Sequence, residues 1–179
     1  QKGLPVEYVD ARFLVKTNRN FGKSEVNFLD TNSFIQSYFE DKNGKIGLIT
    51  GFIGSDNNGD TTTLGRGGSD YTASVFGAAL DVKEIEIWTD VDGMMTADPR
   101  KVSAGFTIPS ISYAEAMELT HFGAKVIYPP SLQTAFAKNI PIRVLNTFNA
   151  RFKGTVISKE STLSPYIITG ISSIDHLSL

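Results

Sequence analysis

The twelve residues Thr61-Thr-Thr-Leu-Gly-Arg-Gly-Gly-Ser-Asp-Tyr-Thr72 contain three glycines, one arginine and one aspartate, and an apolar pattern typical of a helix follows them. Glycine permits positive φ and close approach of the backbone to a ligand. The first amides of a helix that begins near Ser69 have no intrahelical partner, so they can bind an anion. Arg66 can form a bidentate pair with a carboxylate or phosphate, and Asp70 can hold a cation or orient a lysine. The stretch predicts a pocket for an anionic small molecule.

A purely structural interpretation of the same glycines stays open. The stretch 65–70 lacks the Gly-Lys-Ser/Thr ending of a P-loop and does not complete Gly-x-Gly-x-x-Gly. A glycine-rich turn before a helix is also typical of a tight connection between two elements.

Composition bounds the class of protein. The chain has 179 residues, 41% hydrophobic and 20% charged, which is typical of a globular domain with its own core. Its net charge of −2 gives no electrostatic reason to expect nucleic acid or an acidic membrane as partner. It has no cysteine, which excludes disulfides and thiolate metal sites and indicates a reducing compartment. With no signal peptide and no apolar run of about 18 residues, a cytoplasmic protein is expected.

The two ends suggest a piece of a longer chain. Gln1–Pro5 resembles the end of a helix that runs into a strand, and there is no initiator methionine. The last residues, 175–179, stop equally abruptly. We expect further sequence on both sides.

The first half of the chain predicts alternating strands and helices. The predicted elements are a strand at 6–9, an extended piece at 28–30, a helix at 33–40 capped by Asp30, Thr31 or Asn32 and stopped at 42–44, a buried parallel strand at 46–50, an exposed hairpin at 55–60 and a helix at 70–80. A continuous apolar run such as 46–50 is characteristic of a parallel strand covered on both faces.

The second half continues this alternation. Its predicted elements are a strand at 84–89 with Trp88 in the core, a helix from a capping box at 112–115 to Phe122, a helix at 132–138 that ends at Asn139, a strand at 142–146, a final edge piece at 151–157, a linker at 158–165 and a strand at 166–171.

The loops after the strand at 84–89 are candidate ligand sites, because ligands of open α/β sheets bind at the carboxyl ends of the strands. Thr89, Asp90 and Arg100 are therefore candidate nucleotide contacts. The Asp90-x-Asp-Gly93 stretch lacks the later oxygen ligands of a calcium loop, so calcium is not expected. A turn or cap role is at least as plausible for Asp98 as a chemical one. His121 stands alone without ligand-spaced partners, which favours a structural hydrogen bond.

Three motifs taken together resemble the aspartate kinases. They are the 61–72 stretch, Trp88-Thr-Asp-Val-Asp-Gly93 with Thr96-Ala-Asp-Pro-Arg100, and Ser112-Tyr-Ala-Glu-Ala-Met-Glu-Leu119 with His121-Phe-Gly-Ala-Lys125; Ile140-Pro-Ile-Arg-Val144 and Asn146-Thr147 continue the match. The resemblance covers roughly residues 3 to 158. It implies an α/β fold, a three-layer αβα sandwich with a mainly parallel sheet (the amino acid kinase fold), truncated at its amino terminus. Missing strands would leave an uncovered sheet, so low stability or self-association is expected.

The resemblance also implies domain bounds. Residues 1–158 would be the carboxy-terminal part of the catalytic domain, and residues 159–179 a linker with the first element of an ACT-like regulatory domain. Fusion to homoserine dehydrogenase stays open. A homo-oligomer in the full-length protein, regulated by an end-product amino acid, is the expectation that follows.

The activity implied is ATP-dependent phosphorylation of the β-carboxylate of L-aspartate, with Mg²⁺, in lysine, threonine and methionine biosynthesis. No protein residue is assigned directly to the metal. The implied roles are catalysis by Asp70 and Lys125, substrate binding by Phe52, Arg66 and Ser69, and nucleotide binding by Thr89, Asp90, Met95, Arg100, Lys125 and Val126.

Departures from the family pattern leave other functions open. Met95 stands where a tyrosine is usual, and Tyr128-Pro-Pro130 where His-Pro-Arg/Lys is common. The family's amino-terminal Lys-Phe-Gly-Gly-Thr segment and its later acidic residue for the substrate amine are absent, so we expect the fragment itself to be inactive. The alternatives are a sibling kinase for glutamate, acetylglutamate or a nucleoside monophosphate, and a non-catalytic binding module.

Overall fold

The computed structural model describes residues 4–42, 45–121, 126–160 and 168–173. The chain divides into two compact units, Gln1–Asp81 and Val82–Leu179. The elements are β1 Val6–Val9, a short 3-10 helix Ala11–Phe13, α1 Phe28–Phe39, β2 Ile46–Ile49, β3 Ile53–Ser55, β4 Thr61–Thr63, α2 Gly68–Ala79, β5 Ile85–Thr89, β6 Ser110–Ser112, α3 Tyr113–His121, α4 Pro129–Lys138, β7 Ile142–Asn146 and β8 Thr155–Ser158. None of the helices in the described ranges has the length and apolar character needed to cross a bilayer.

The first unit is built on two strand pairs and two helices. β1 and β2 pair in parallel, β3 and β4 pair in antiparallel, and α1 packs against α2. Its core joins residues of β1, the 3-10 helix, α1 and α2, namely Val9, Ala11, Leu14, Val15, Ile35, Val75, Phe76 and Ala79. The predicted strands at 6–9 and 46–50 are confirmed as a parallel pair.

One face of that parallel pair is apolar and is left uncovered by the described residues of the first unit. Val6 lies opposite Ile46 and Tyr8 opposite Leu48 in the register, and all four side chains are exposed, Tyr8 by 63% and Leu48 by 59%. The expectation that the strand at 46–50 is buried is therefore wrong for this unit, although parallel sheets are normally covered on both faces.

Helix α1 begins earlier than the sequence predicted. The piece 28–30 is not extended, because Asn27 caps the helix: its side chain accepts a hydrogen bond from the Asp30 amide at 3.3 Å. The predicted caps Asp30, Thr31 and Asn32 therefore lie inside the helix. The predicted stop falls partly outside the described residues, at 43–44.

The hairpin predicted at 55–60 is confirmed as β3, a turn and β4. Its first turn residue departs from the expected exposure, because Asp56 is buried and its carboxylate accepts the amides of Asn58 and Asp60, each at 2.9 Å. The hairpin is thus held by a buried acid at the base of its turn.

The second unit contains a four-stranded sheet in the order β5-β7-β8-β6. β5 pairs with β7 and β6 with β8 in parallel, while β7 and β8 are antiparallel. The predicted strand 142–146 is confirmed as β7. The piece at 151–157 is not an edge: β8 lies inside the sheet because β6, a three-residue strand that the sequence pattern did not predict, occupies the edge.

Trp88 does not lie in the core. It is 48% exposed and its indole Nε1 donates to the Glu86 carboxylate at 2.9 Å. The alternation along β5 explains this, since Ile85 and Ile87 are buried and the residues between them point to the other face. The sequence pattern was right for the strand and wrong for the tryptophan.

The helices of the second unit confirm two predicted caps. Ser112 and Glu115 form the capping box: the Ser112 amide donates to Glu115 Oε2 at 2.9 Å and the Glu115 amide to Ser112 Oγ at 3.2 Å. Asn139 ends α4 in the left-handed conformation with φ 55°. α4 begins at Pro129 rather than residue 132, because proline fits the first turn of a helix. The predicted end of α3 at Phe122 and Gly123 lies outside the described residues.

Residues 168–173 form no helix or strand. The strand predicted at 166–171 is therefore wrong for its described part, residues 168–171. Tyr166, Ile167 and most of the predicted linker, residues 161–165, lie outside the described residues.

Candidate functional site

The glycine-rich loop of the first unit leads directly into α2. Gly65 and Gly67 have φ of 77° and 67°, a conformation that favours glycine. α2 begins at Gly68, and its N-cap residue Gly67 offers no side-chain acceptor to the first amides. The Tyr71 amide donates to the Gly67 carbonyl at 3.0 Å, whereas the Ser69 and Asp70 amides have no backbone acceptor in the described part of this unit. The predicted open helix start is therefore present.

Phe52 lies beside this helix start. Its φ is 76°, which is strained for a residue with a side chain. Its amide donates to Thr72 Oγ1 at 3.0 Å, and a Cβ atom on Gly68 would come within 2.8 Å of the phenyl ring. The close approach continues at Gly51, where a Cβ atom would lie 3.2 Å from the backbone of Ser69. The structure thus brings Phe52 and Ser69 of the predicted substrate site together.

Two charged groups stand at this helix start. Arg66 is exposed and Asp70 is half-buried, and neither forms an ion pair within the described part of the first unit. Burial raises the pKa of the Asp70 carboxyl above its ordinary value. A raised carboxyl pKa beside an open anion site is a combination found at functional sites.

In the second unit the ends of two parallel strands meet. Thr89 of β5 lies opposite Asn146 of β7, and the Thr147 amide donates to the Thr89 carbonyl at 2.8 Å. The Thr89 hydroxyl donates to the Asp90 carboxylate at 3.2 Å. The structure therefore places the predicted nucleotide residues Thr89 and Asp90 at the carboxyl ends of the strands, where ligands of such sheets bind.

Asp92 was missed as a site residue. Its Oδ1 accepts from the side-chain amides of Asn146 at 2.8 Å and Asn149 at 3.1 Å. No local pattern predicts this contact, because it depends on the parallel pairing of β5 with β7.

The buried hydroxyl of Thr155 holds Gly93 and Met94 against the sheet. The Met94 amide donates to Thr155 Oγ1 at 2.8 Å, and this hydroxyl donates to the Ile108 carbonyl at 2.7 Å. Gly93 has φ 123°, and a Cβ atom there would lie 2.5 Å from the same oxygen. The loop that follows β5 is therefore attached closely to β8.

Asp98 and Arg100 form a local pair. The Arg100 amide and Nε donate to Asp98 Oδ1 at 2.9 and 3.0 Å, and the guanidinium also reaches Oδ2 at 2.7 Å. Arg100 thereby lowers the pKa of the Asp98 carboxyl to about 2. Asp98 has the turn role that the sequence left open beside a chemical one, since its carbonyl also accepts the Lys101 and Val102 amides.

A cavity of about 330 Å³ lies in the second unit. Its walls are mostly apolar and consist of Val91, Gly93, Met95, Ala97, Asp98, Pro99, Arg100, Leu119, Val126, Ile171, Ser172 and Ser173. Three predicted nucleotide residues, Met95, Arg100 and Val126, line it together. Thr89 and Asp90 do not line it, and Lys125 lies outside the described residues. The walls from Leu119 and 171–173 were missed, because no local pattern links them to the loop at 91–100.

Among the described residues no group of three or more His, Cys, Asp or Glu side chains is arranged to hold a metal ion. His121, the last residue of α3, therefore belongs to no such group. Tyr128 is the N-cap residue of α4, and the two prolines after it form the first turn.

Comparison with known proteins identifies the family to which this chain belongs. The sequence profile of the Amino acid kinase family matches residues 1–146, and the chain belongs to that family. Its structural neighbours share the amino acid kinase fold.

Within the family the chain is similar to aspartokinases. It is 40% identical over 167 residues to lysine-sensitive aspartokinase 3 of Escherichia coli (strain K12), with 92% of this chain and 37% of that protein covered. It is 44% identical over 125 residues to aspartokinase 1, chloroplastic, of Arabidopsis thaliana, with 69% and 22% covered. The chain thus spans well under half the length of these relatives.

Two solved structures support the same relation. The structure of E. coli aspartokinase III in complex with aspartate and ADP superposes with a TM-score of 0.86 at 38% identity, covering 93% of this chain and 37% of that one. The aspartate kinase of Clostridium acetobutylicum superposes with a TM-score of 0.81 at 32% identity, covering 92% and 37%.

Proposed function

We propose that the protein containing this chain transfers the terminal phosphoryl group of ATP to the β-carboxylate of L-aspartate and forms 4-phospho-L-aspartate. Supporting this are the similarity to aspartokinases over most of the chain and a neighbouring aspartokinase structure in complex with aspartate and ADP. In the biosynthesis of lysine, threonine and methionine this would be the first step. The observation that carries the proposal is the open start of α2, where neither Arg66 nor Asp70 forms an ion pair within the described part of the first unit.

The first unit would bind the amino acid. Arg66 would form a bidentate pair with the α-carboxylate of L-aspartate. The amides of Ser69 and Asp70, which have no backbone acceptor in the described part of this unit, would bind the same anion, helped by the positive end of the helix dipole. Phe52, held in its strained conformation against Gly68, would form an apolar wall beside them.

The second unit would bind the nucleotide. Its apolar cavity suits a purine base, since ligand pockets are mainly apolar with few polar groups. Met95 and Val126 would contact the base or ribose, and Arg100 would lie near the phosphates. Thr89 and Asp90, at the strand ends, would contact the nucleotide outside the cavity.

The chemistry asks mainly for charge neutralisation and positioning. A carboxylate is ionised at neutral pH, so the nucleophile needs no general base. Lys125 would neutralise the charge that develops on the transferred phosphoryl group, and Asp70 would orient cationic side chains there. Mg²⁺ would neutralise the nucleotide phosphates when bound. Because such ions take most of their ligands from phosphates and water, the protein need not provide a dedicated cage.

Further features of the whole protein follow from the same resemblance. We infer a cytoplasmic homo-oligomer in which residues 159–179 begin an ACT-like regulatory domain that responds to an end-product amino acid. Sedimentation of the full-length protein tests whether it is a homo-oligomer. The same measurement with and without lysine, threonine or methionine tests the regulation, because regulatory binding would change the mass or shape of the protein.

The decisive experiment is a substrate panel on the full-length protein with Mg-ATP. L-Aspartate should support ADP release and trapping of the acyl phosphate as hydroxamate, whereas L-glutamate, N-acetyl-L-glutamate and UMP should not. Turnover with one of the other acceptors would assign the protein to a sibling kinase. No turnover with any acceptor, together with binding of ATP, would indicate a non-catalytic module.

A second measurement tests the fragment itself. Calorimetric titration of the 179-residue chain with Mg-ATP should show binding. Turnover at full-length rates by this chain alone would contradict the expectation that the fragment is inactive.

A further inference from the structure

Residues 168–173 lie against the predicted nucleotide loop. The Ile171 amide donates to the Thr96 carbonyl at 2.7 Å. Two residues earlier, the Thr169 hydroxyl donates to Glu115 Oε1 at 2.6 Å. The segment is therefore attached both to the loop after β5 and to the first turn of α3.

Two further contacts extend this attachment. Lys101 Nζ donates to Ser173 Oγ at 3.0 Å. A Cβ atom on Gly170 would lie 3.2 Å from the Leu119 side chain and 3.3 Å from the Thr96 carbonyl oxygen. Because the backbone approaches so closely, a larger side chain at position 170 would push the segment away.

The attached segment borders the cavity of the second unit. Ile171, Ser172 and Ser173 line it together with Met95 and Arg100. The cavity of about 330 Å³ exists while the segment is in place, so the segment forms a wall and does not fill the space. This volume is at the low end of about 300–1,000 Å³ for ligand pockets, which suits a nucleoside rather than a whole triphosphate.

We propose that residues 171–173 form one wall of the nucleotide pocket, and that nucleotide binding and attachment of this segment strengthen each other. The proposal rests on the nucleotide-binding function proposed above and adds a part of the site that no loop of the sheet provides. Ile171 is the contact residue for the nucleoside, because it is a large apolar side chain that stays 67% exposed at the cavity. Coupling of this kind is reciprocal by thermodynamic necessity.

The segment offers a matched control. Ile168 is 66% exposed, nearly the same as Ile171, but it does not line the cavity. A general effect of removing an exposed isoleucine should therefore be equal at the two positions. An effect through the pocket wall should appear only at position 171.

Calorimetric titration of the full-length protein with Mg-ATP tests the wall. Ile171→Ser should raise the Kd about fivefold, because part of an apolar side chain no longer covers the base. Gly170→Val, which displaces the segment, should raise the Kd about tenfold, and Ile168→Ser should stay within about twofold. Unchanged Kd values for both Ile171→Ser and Gly170→Val, or an equal effect of Ile168→Ser, would overturn the proposal.

Hydrogen exchange on the unmodified full-length protein gives an independent answer. Saturation with Mg-ATP should slow exchange of the Ile171 amide about tenfold, since nucleotide binding should hold the segment to Thr96. An unchanged rate with ATP bound would overturn the coupling while leaving nucleotide binding intact. Failure of the full-length protein to bind ATP would overturn the proposed nucleotide site, and with it this inference.

Discussion

The two candidate sites present their charged groups in opposite ways. In the first unit, Arg66 and Asp70 stand at the start of α2 without an ion-pair partner in its described part. In the second unit, Arg100 is paired with Asp98, and Asp92 accepts two amide donors. The charged groups at the start of α2 have no ion-pair partner in the described part of their unit, whereas those of the loop after β5 already have partners within the protein.

This difference indicates where a ligand should contribute most. A group that has no partner in the free protein gains a full interaction when the ligand arrives, whereas a paired group must exchange one partner for another. The amino acid site should therefore depend strongly on single side chains. The nucleotide site should depend on its shape and on the network that holds its loops.

The largest effect is expected at Arg66. Arg66→Ala in the full-length enzyme should lower kcat/KM for L-aspartate about 100-fold, because a charge-assisted bidentate pair is lost. Steady-state kinetics with the aspartate concentration varied measures this change. Arg66→Lys should recover only part of the loss, since lysine keeps the charge and lacks the planar fork.

Arg12 is the matched control for that substitution, because it is an arginine of the same unit that already pairs with Asp10. Arg12→Ala should change kcat/KM less than about threefold. A comparable loss in both variants would mean that pairing in the free protein does not decide the effect.

Asp70→Asn should have the second largest effect, and it should lower activity while raising stability. The value of kcat should fall about 10- to 100-fold, because a neutral amide cannot orient cationic groups in the same way. The melting temperature at neutral pH should rise, since burial raises the pKa of this carboxyl and so disfavours its charged form in the folded state.

The pH dependence of the free energy of unfolding tests this explanation of the Asp70→Asn effect. The folded state retains the Asp70 proton to a higher pH than the unfolded state, so the penalty appears as pH rises above the ordinary aspartate pKa of about 3.9. The difference in free energy of unfolding between variant and wild type should therefore vanish in acid. A difference that grows as pH falls would contradict this explanation.

At Asp92 the expected effect is smaller and falls on the nucleotide. Asp92→Ala should raise the Kd for Mg-ATP about tenfold, because Asn146 and Asn149 lose their acceptor and the loop after β5 is released. Asp92→Asn keeps an oxygen acceptor and should bind within about threefold of wild type. Calorimetry on both variants decides, and equal weakening in the two would show that the charge matters rather than the network.

Asp98→Ala should have the smallest effect on binding, less than about threefold in the Kd for Mg-ATP, because an exposed ion pair contributes little. Thermal melts should show its pH signature. The Arg100 pairing lowers the pKa of the carboxyl to about 2, so its stabilisation is present above about pH 4 and is lost as pH falls toward 2. The gap in melting temperature should close over that range.

The sequence predicted the elements whose signals are local. The capping box at Ser112 and Glu115, the αL cap at Asn139, and the strands β1 and β7 follow from neighbouring residues alone. The start of α1 failed because Asn27 was not weighed as a cap, and the start of α4 failed because Pro129 was not weighed as a first-turn residue.

The sequence-based predictions were wrong where residues distant in the sequence determine the position of a side chain or strand. Trp88 lies outside the core because burial of Ile85 and Ile87 sets the face of β5. β8 is internal because a three-residue strand, β6, pairs with it. For the candidate site, the glycine loop and the residues at 89–100 followed from motifs, whereas the Asn146–Asp92 contact and the wall at 171–173 needed the fold.

The Thr155 hydroxyl has a consequence for measuring the loop after β5. The Met94 amide is fully buried and donates to that hydroxyl, which is itself held by the Ile108 carbonyl. The Met94 amide proton can exchange with solvent only when residues 93–95 move away from Thr155 of β8. The exchange rate of this one amide therefore measures how often the loop opens, and a nucleotide that holds Met95 in place should slow it, even in a chain that performs no turnover.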